Sequence, residues 1–219
     1  MNDLQKTDRS NVYETSLIKP FSDINKLITI LQPSSSNMVT IGRQKINLLE
    51  AEGKLIYLLH EGSIALNRCN DGMIISSERA PFIFGLCNQI SYSGNVFMRT
   101  QETSKISYLS LDKANEIITK NNLWEASCHI MMYIAARVFT NYSQLSQASS
   151  YEIIRNQLFE LMNESTSVRN SVSAARYIKE RTFLSRSGIM RILAELKAGG
   201  FIDIDKGLLK KVNQLPSRY

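Results

Sequence analysis

Cysteine and histidine are scarce in this chain, and the scarcity excludes a good deal. Three cysteines, Cys69, Cys87 and Cys128, stand far apart among 219 residues. An odd number of widely spaced thiols argues against a disulfide framework and for a reducing compartment, so a cytoplasmic protein is expected. No C-x-x-C occurs, and the only histidines are His60 and His129. Zinc or iron–sulfur sites need more ligands in closer groups, so no metal and no other cofactor is expected. No uninterrupted apolar run reaches 18 residues, so no transmembrane helix is expected, and no membrane partner either. The opening Met1–Ser10 is polar and mixed in charge. It lacks the basic-then-apolar pattern of a signal peptide. Internal repeats, low-complexity tracts, a glycine loop for phosphates and a nucleophile–base pair are all missing. An enzyme is therefore the class that fares worst.

What is present suits an ordinary globular chain, with 43% apolar, 21% charged and 8% aromatic residues. Net charge is +6 and unevenly placed. From Tyr151 onward there are 12 Lys and Arg against 7 Asp and Glu, whereas the first 150 residues hold 14 against 13. A localised excess fits either a polyanion partner for the last third or a solvated basic surface.

Three zones follow from the hydrophobic pattern. Phe21 to Leu31 has helical spacing and ends near Pro33. From Val39 to about Leu111, short apolar runs alternate with turns. Leu55–Leu59, Ser63–Leu66, Met73–Ile75, Phe82–Phe84, Asn95–Met98 and Ile106–Leu109 read as strands, with Glu61-Gly62 and Asn70-Asp71-Gly72 as hairpin turns. That spacing predicts an antiparallel roll, barrel or sandwich. In the second zone, Asp112 is the expected N-cap of a helix from Lys113 to Thr119. A long helix from about Leu123 to Ser146 follows. Leu123, Ser127, Ile130, Ile134, Val138 and Leu145 line one side, and Met131, Met132, Ala135 and Phe139 the other. Two apolar faces fit a dimerisation helix, and the alternative is a single core helix. The third zone opens at about Tyr151 with another helix, then a polar connector from Asn163 to Asn170.

The next forty residues carry the chemistry. Ser173 caps a short helix to Lys179, Arg181-Thr182-Phe183-Leu184 forms a turn, and Ser185 caps a second helix to about Lys197. Ile189, Ile192, Leu193 and Leu196 make its buried face. Arg186, Ser187, Gly188 and Arg191 lie on its exposed start. Two helices, a four-residue turn and basic residues opening the second helix make a helix-turn-helix, a binder of double-stranded DNA. Arginine can donate two parallel hydrogen bonds to guanine O6 and N7. Ser185 and the helix N-terminus can hold a phosphate. Gly199-Gly200 ends the helix. Phe201 to Ile204, Asp205-Lys206-Gly207 and Leu208 to Val212 read as a hairpin wing, whose Lys206, Lys210 and Lys211 can reach phosphates. The candidate DNA contacts are Ser173, Thr182, Ser185, Arg186, Ser187, Arg191, Lys206 and Lys210. The alternative for the arginines is a surface helix with ion pairs, such as Arg191 with Glu195.

The run Leu184-Ser185-Arg186-Ser187-Gly188-Ile189-Met190-Arg191-Ile192-Leu193-Ala194-Glu195-Leu196-Lys197, then Gly200-Phe201-Ile202, closely resembles the recognition helix and wing of the CRP/FNR regulators. The order of roll, long helix and winged helix matches too. The resemblance implies an α+β chain with a cyclic-nucleotide-binding-like β-roll (1–120), a dimerisation helix (121–148) and a winged helix-turn-helix (149–219). It implies a homodimeric transcriptional regulator on DNA, in contact with RNA polymerase. By the same resemblance Arg186 and Arg191 contact guanines or phosphates, and Ser185 a phosphate. Where the family often has Glu to accept from cytosine, this chain has Ser187, so its half-site should differ.

Cyclic-nucleotide binders of this family use a Glu for the ribose and an Arg for the phosphate in one cassette of the roll. Here Gly85 and Gly94 fall at those places, so no cyclic nucleotide is expected. Neither the N-terminal cysteine cluster of the iron–sulfur branch nor a His-based haem site is evident. What remains is apolar: Phe82, Phe84, Leu86, Cys87, Phe97, Met98, Tyr108 and Met131 or Met132. They form either a collapsed core or a pocket for an apolar, fatty-acid-like ligand whose carboxylate pairs with Arg99. Cysteines could report oxidation, Cys87 first among them, or be inert.

Overall fold

A computed structural model describes residues 17–50, 53–89, 95–146 and 149–216. The polar opening Met1–Ser10 and Gly94 lie outside the described residues. Helix α1 (Phe21–Leu31) comes first and buries Ile24, Leu27, Ile28 and Leu31 along one stripe. Nine strands follow: β1 (Ser36–Thr40), β2 (Lys45–Ile46), β3 (Leu49–Glu50), β4 (Gly53–Glu61), β5 (Ser63–Arg68), β6 (Ile74–Arg79), β7 (Phe82–Phe84), β8 (Val96–Thr100) and β9 (Ser104–Ser110). Then come α2 (Leu111–Lys120), α3 (Trp124–Ser146), α4 (Ser150–Asn163), α5 (Thr166–Ser171), α6 (Ala174–Arg181), α7 (Arg186–Ala198), β10 (Ile202–Asp205) and β11 (Leu208–Val212).

The nine strands form two antiparallel sheets. One runs β1–β9–β4–β3, with β7 also on β4, and the other runs β2–β8–β5–β6. Leu55 to Leu59 of β4 are buried without alternation, as a strand covered on both faces must be. The turn Asn70-Asp71-Gly72 closes a true β5–β6 hairpin, with Arg68 forked onto Asp71 at 2.9 and 2.6 Å. Glu61-Gly62 does not close a hairpin. It carries the chain from β4 in one sheet to β5 in the other, and the two strands do not pair. Turn residues reverse the chain, but burial on both faces decides which strand each one joins.

Three other boundaries shift. Ser110, not Asp112, caps α2, its hydroxyl accepting from Lys113 N at 3.3 Å. Asp112 lies in the first turn, where its charge suits the helix N-terminus. The connector 163–170 is largely helix α5, which runs on to Ser171, is capped by Ser165 and is anchored by buried Val168. The wing strand begins at Ile202, because Phe201 N still donates to Leu196 O at 2.9 Å.

Two hydrophobic clusters result. One joins the sheets to α1, α2 and the inner face of α3 through Ala126, Ile130 and Tyr133. The other unites α4–α7 with the wing. On α3, Cys128, Met132, Ala135, Phe139 and Tyr142 are exposed at four- and three-residue steps. Val138 is exposed too, although Ile130 on the same expected side is buried. Among the described residues no helix is long and apolar enough to cross a membrane.

Candidate nucleic-acid interface

The reading head is assembled from caps. Ser173 Oγ accepts from Arg176 N at 3.4 Å and starts α6. Ser185 Oγ accepts from Gly188 N at 3.1 Å and starts α7, with Ser187 Oγ 3.3 Å away. Ile189, Ile192, Leu193 and Leu196 then lock α7 into the core. Arg186, Ser187 and Arg191 are left in solvent at its N-terminal end. The unsatisfied N–H groups and dipole of that end favour an anion. Arg191 also reaches Glu195 Oε1 at 3.3 Å, a pairing exposed to water and weak. Among the described residues no carboxylate pairs with Arg186.

The wing is held against this unit. Lys206 and Gly207 adopt φ of 47° and 85°, the two-residue turn that matches strand twist. Ala174 N donates to Gly207 O at 2.9 Å, and a Cβ on Gly207 would lie 3.3 Å from Ser173 Cβ. The wing tip and the start of α6 therefore share one edge. Lys206, Lys210 and Lys211 are exposed there. Thr182 departs from the expectation. It is 3% exposed, donates to Ile178 O at 2.9 Å and accepts from Leu184 N at 3.4 Å. Its hydroxyl serves the turn.

The head also touches the roll of its own chain. Arg79 Nη2 lies 3.1 Å from Glu164 Oε2, and Arg43 Nη2 lies 3.0 Å from Glu180 Oε1. Ser165 Oγ donates to Glu102 Oε2 at 2.9 Å. Glu164 further accepts from Tyr177 OH at 3.0 Å, and Arg181 stacks on the Tyr177 ring 3.5 Å from its centroid. Burial, with the Glu164 charge beside it, pushes the Tyr177 phenol well above the usual tyrosine range. The bonds of Glu164 and Glu180 to the roll carry no sequence signal, since each joins residues far apart in the chain, although Glu180 also accepts from Arg176 one helical turn before it at 2.8 Å.

The roll holds a cavity of about 180 Å³ between its sheets and α3. Phe82, Phe84 and Cys87 line it. Leu86, Phe97 and Met98 are buried but do not line it. Tyr108 tilts against Tyr57, with ring centroids 6.1 Å apart, and Met131 packs on the core; neither lines the cavity. Arg99 is a correction. It lies over the Phe97 ring in another cleft, and the cavity's cation is Arg137 of α3. Arg137 Nε sits 3.4 Å from buried Glu78, which Lys19 at 3.3 Å and Tyr133 OH at 3.1 Å also approach. Burial, then the Glu78 charge, raises the Tyr133 phenol to about 12. The sequence reading missed both Glu78 and Arg137. A Cβ on Gly85 would stand 2.5 Å from Leu55 O, so no side chain fits there. Burial raises the Cys87 thiol, while Cys69 and Cys128 are exposed and free. Among the described residues no group of His, Cys, Asp and Glu could hold a metal.

Comparisons with known proteins agree with this anatomy. Residues 150–217 match the model of a winged helix-turn-helix DNA-binding family. The protein named inhibitor of hydrogen peroxide resistance from Salmonella typhimurium is 30% identical over 207 residues, covering 93% of this chain and 99% of that one. The protein of the same name from Escherichia coli is 27% identical over 206 residues, with the same coverage. The resemblance read in the sequence extends to this protein in particular. Among solved structures, the c-di-GMP-responsive global regulator CLP of Xanthomonas campestris superposes with a TM-score of 0.71 at 13% identity, over 87% of this chain and all of that one. A CRP/FNR family regulator from Eubacterium rectale gives 0.68 at 12% identity, over 90% and 94%.

Proposed function

The chain belongs to the family of the inhibitor of hydrogen peroxide resistance and has the fold of CRP/FNR regulators; from that premise we propose that it is a homodimeric, sequence-specific transcriptional regulator of the oxidative-stress response. The observation that carries the reading is the α7 N-terminus. It presents Arg186, Ser187 and Arg191 to solvent beside the lysines of the wing. A duplex seated there offers guanine edges to the arginines and backbone phosphates to Ser173, Ser185, Lys206 and Lys210. Residues 1–120 act as the sensor, 121–148 as the dimer helix and 149–219 as the reader. A second copy covers Phe139 and Tyr142 on α3. Two half-sites about one helical turn apart then follow from the two-fold symmetry.

The roll takes no cyclic nucleotide in this reading, because Gly85 has no room for an acidic side chain. A second reading is favoured by the cavity itself. Its walls are mostly apolar and its polar end holds Arg137 beside Ser76 and Glu78, so a small apolar acid such as a fatty acid that controls DNA binding would share Arg137 with the Glu78 carboxylate.

The test is binding of the full chain to duplexes selected from a random pool, measured by fluorescence anisotropy at several salt concentrations. A symmetric enriched site whose affinity falls steeply with salt is expected. Failure to enrich any site, with no salt-dependent binding, sinks the reading. Mass spectrometry of the native protein tests the ligand; an empty cavity and no thermal shift with fatty acids would remove it.

A further inference from the structure

Beyond its two arginines, the working face of α7 carries an apolar side chain that the fold does not use. Helical spacing places Arg186, Met190 and Ala194 on one flank, with Ser187 and Arg191 beside them. Met190 is 51% exposed and takes no part in the winged-helix core, which draws instead on Ile189, Ile192, Leu193 and Leu196. Its thioether thus stands in water between one arginine a turn before it and another directly after it. In the major groove the largest apolar feature of a base edge, and the only one that protrudes, is the thymine C5 methyl. Every other edge offers donors or acceptors, and a thioether pressed on them would leave them poorly satisfied. Met is unbranched and long enough to reach down a groove, whereas Ser187 and Ala194 are short.

We infer that Met190 is a specificity-determining contact that reads the methyl group of a thymine lying between the base pairs met by Arg186 and Arg191. This rests on the DNA-reading role proposed above. It also gives a chemical reason for a half-site unlike the family's, since Ser187 offers no carboxylate to cytosine and Met190 adds a preference for thymine.

The experiment starts from the duplex that the full wild-type chain enriches from a random pool. Each thymine is replaced in turn by deoxyuridine, which removes only the methyl. One position per half-site should lose about fourfold in affinity, the worth of one buried methyl. Met190→Ala should bind more weakly and lose the penalty at that position alone, while Met190→Leu should keep it. Because Met190 is exposed, both variants should retain the wild-type melting temperature. If no uridine position weakens wild-type binding, or the penalty persists in Met190→Ala, the inference is overturned and the DNA-reading role stands. If no duplex is enriched at all, the role itself falls, and the inference with it.

Discussion

Glu164 should be a costly carboxylate to remove. It is 10% exposed and serves both halves of the chain. From α6 it accepts the Tyr177 hydroxyl at 3.0 Å, and Arg181, itself 9% exposed, lies 3.8 Å away. From β6 it meets Arg79 at 3.1 Å, but Arg79 is 44% exposed, so water screens that pair to about 0.5 kcal/mol. Losing the Tyr177 hydrogen bond to a charged acceptor costs about 1.5–3 kcal/mol. Leaving Arg181 buried without a counter-charge adds about 1 kcal/mol after discounting for the long contact. Glu164→Ala should therefore destabilise the chain by about 3–4.5 kcal/mol, and Glu164→Gln, which keeps an acceptor for Tyr177, by about half of that. Urea denaturation followed by circular dichroism and by tryptophan fluorescence reads both. Arg79→Ala should cost little alone and should show coupling with Glu164→Gln in a double-mutant cycle. Equal losses for Ala and Gln, or a loss under about 1 kcal/mol for Ala, would falsify the assignment of Glu164 as a shared acceptor.

Other expectations are simpler to state. Replacing Arg186 by Ala should cost about 1–3 kcal/mol of DNA affinity and relax base preference at one position, whereas Lys210→Ala should weaken all sequences alike and lower the salt slope by about one unit. Competition assays against single-base variants of the selected site distinguish the two, and a uniform effect from Arg186 would contradict its role. Phe139, 71% exposed on α3, should lie in the dimer seam, so Phe139→Glu should yield a monomer by sedimentation with the fold intact. An unchanged dimer would move the interface elsewhere. Burial lifts the Cys87 thiol above its ordinary range and so leaves it protonated at neutral pH. Iodoacetamide should label exposed Cys69 first, with Cys87 catching up only as the pH rises. Fast labelling of Cys87 near neutrality would reverse that order and revive it as an oxidation sensor.

The sequence by itself determined the reading head. Ser173 and Ser185 cap their helices through bonds only three residues long, and Gly199-Gly200 stops α7 within its own last turn. Apolar spacing then told which face of α7 is buried and which carries Arg186 and Arg191. Such signals are legible because cause and effect lie within one helical turn. Tertiary structure alone decided the rest. Glu61-Gly62 reverses the chain, yet its strands part into different sheets, since pairing follows burial and not the turn. Thr182 looked available in a polar turn but spends its hydroxyl on Ile178 O. Arg137 replaced Arg99 at the cavity because it stands on α3 opposite Glu78 of β6. Tyr133 meets Glu78 across 55 residues, and Arg79 meets Glu164 across 85. No local pattern encodes such partners, because each is chosen only when packed elements bring a buried charge within reach of its counter-charge.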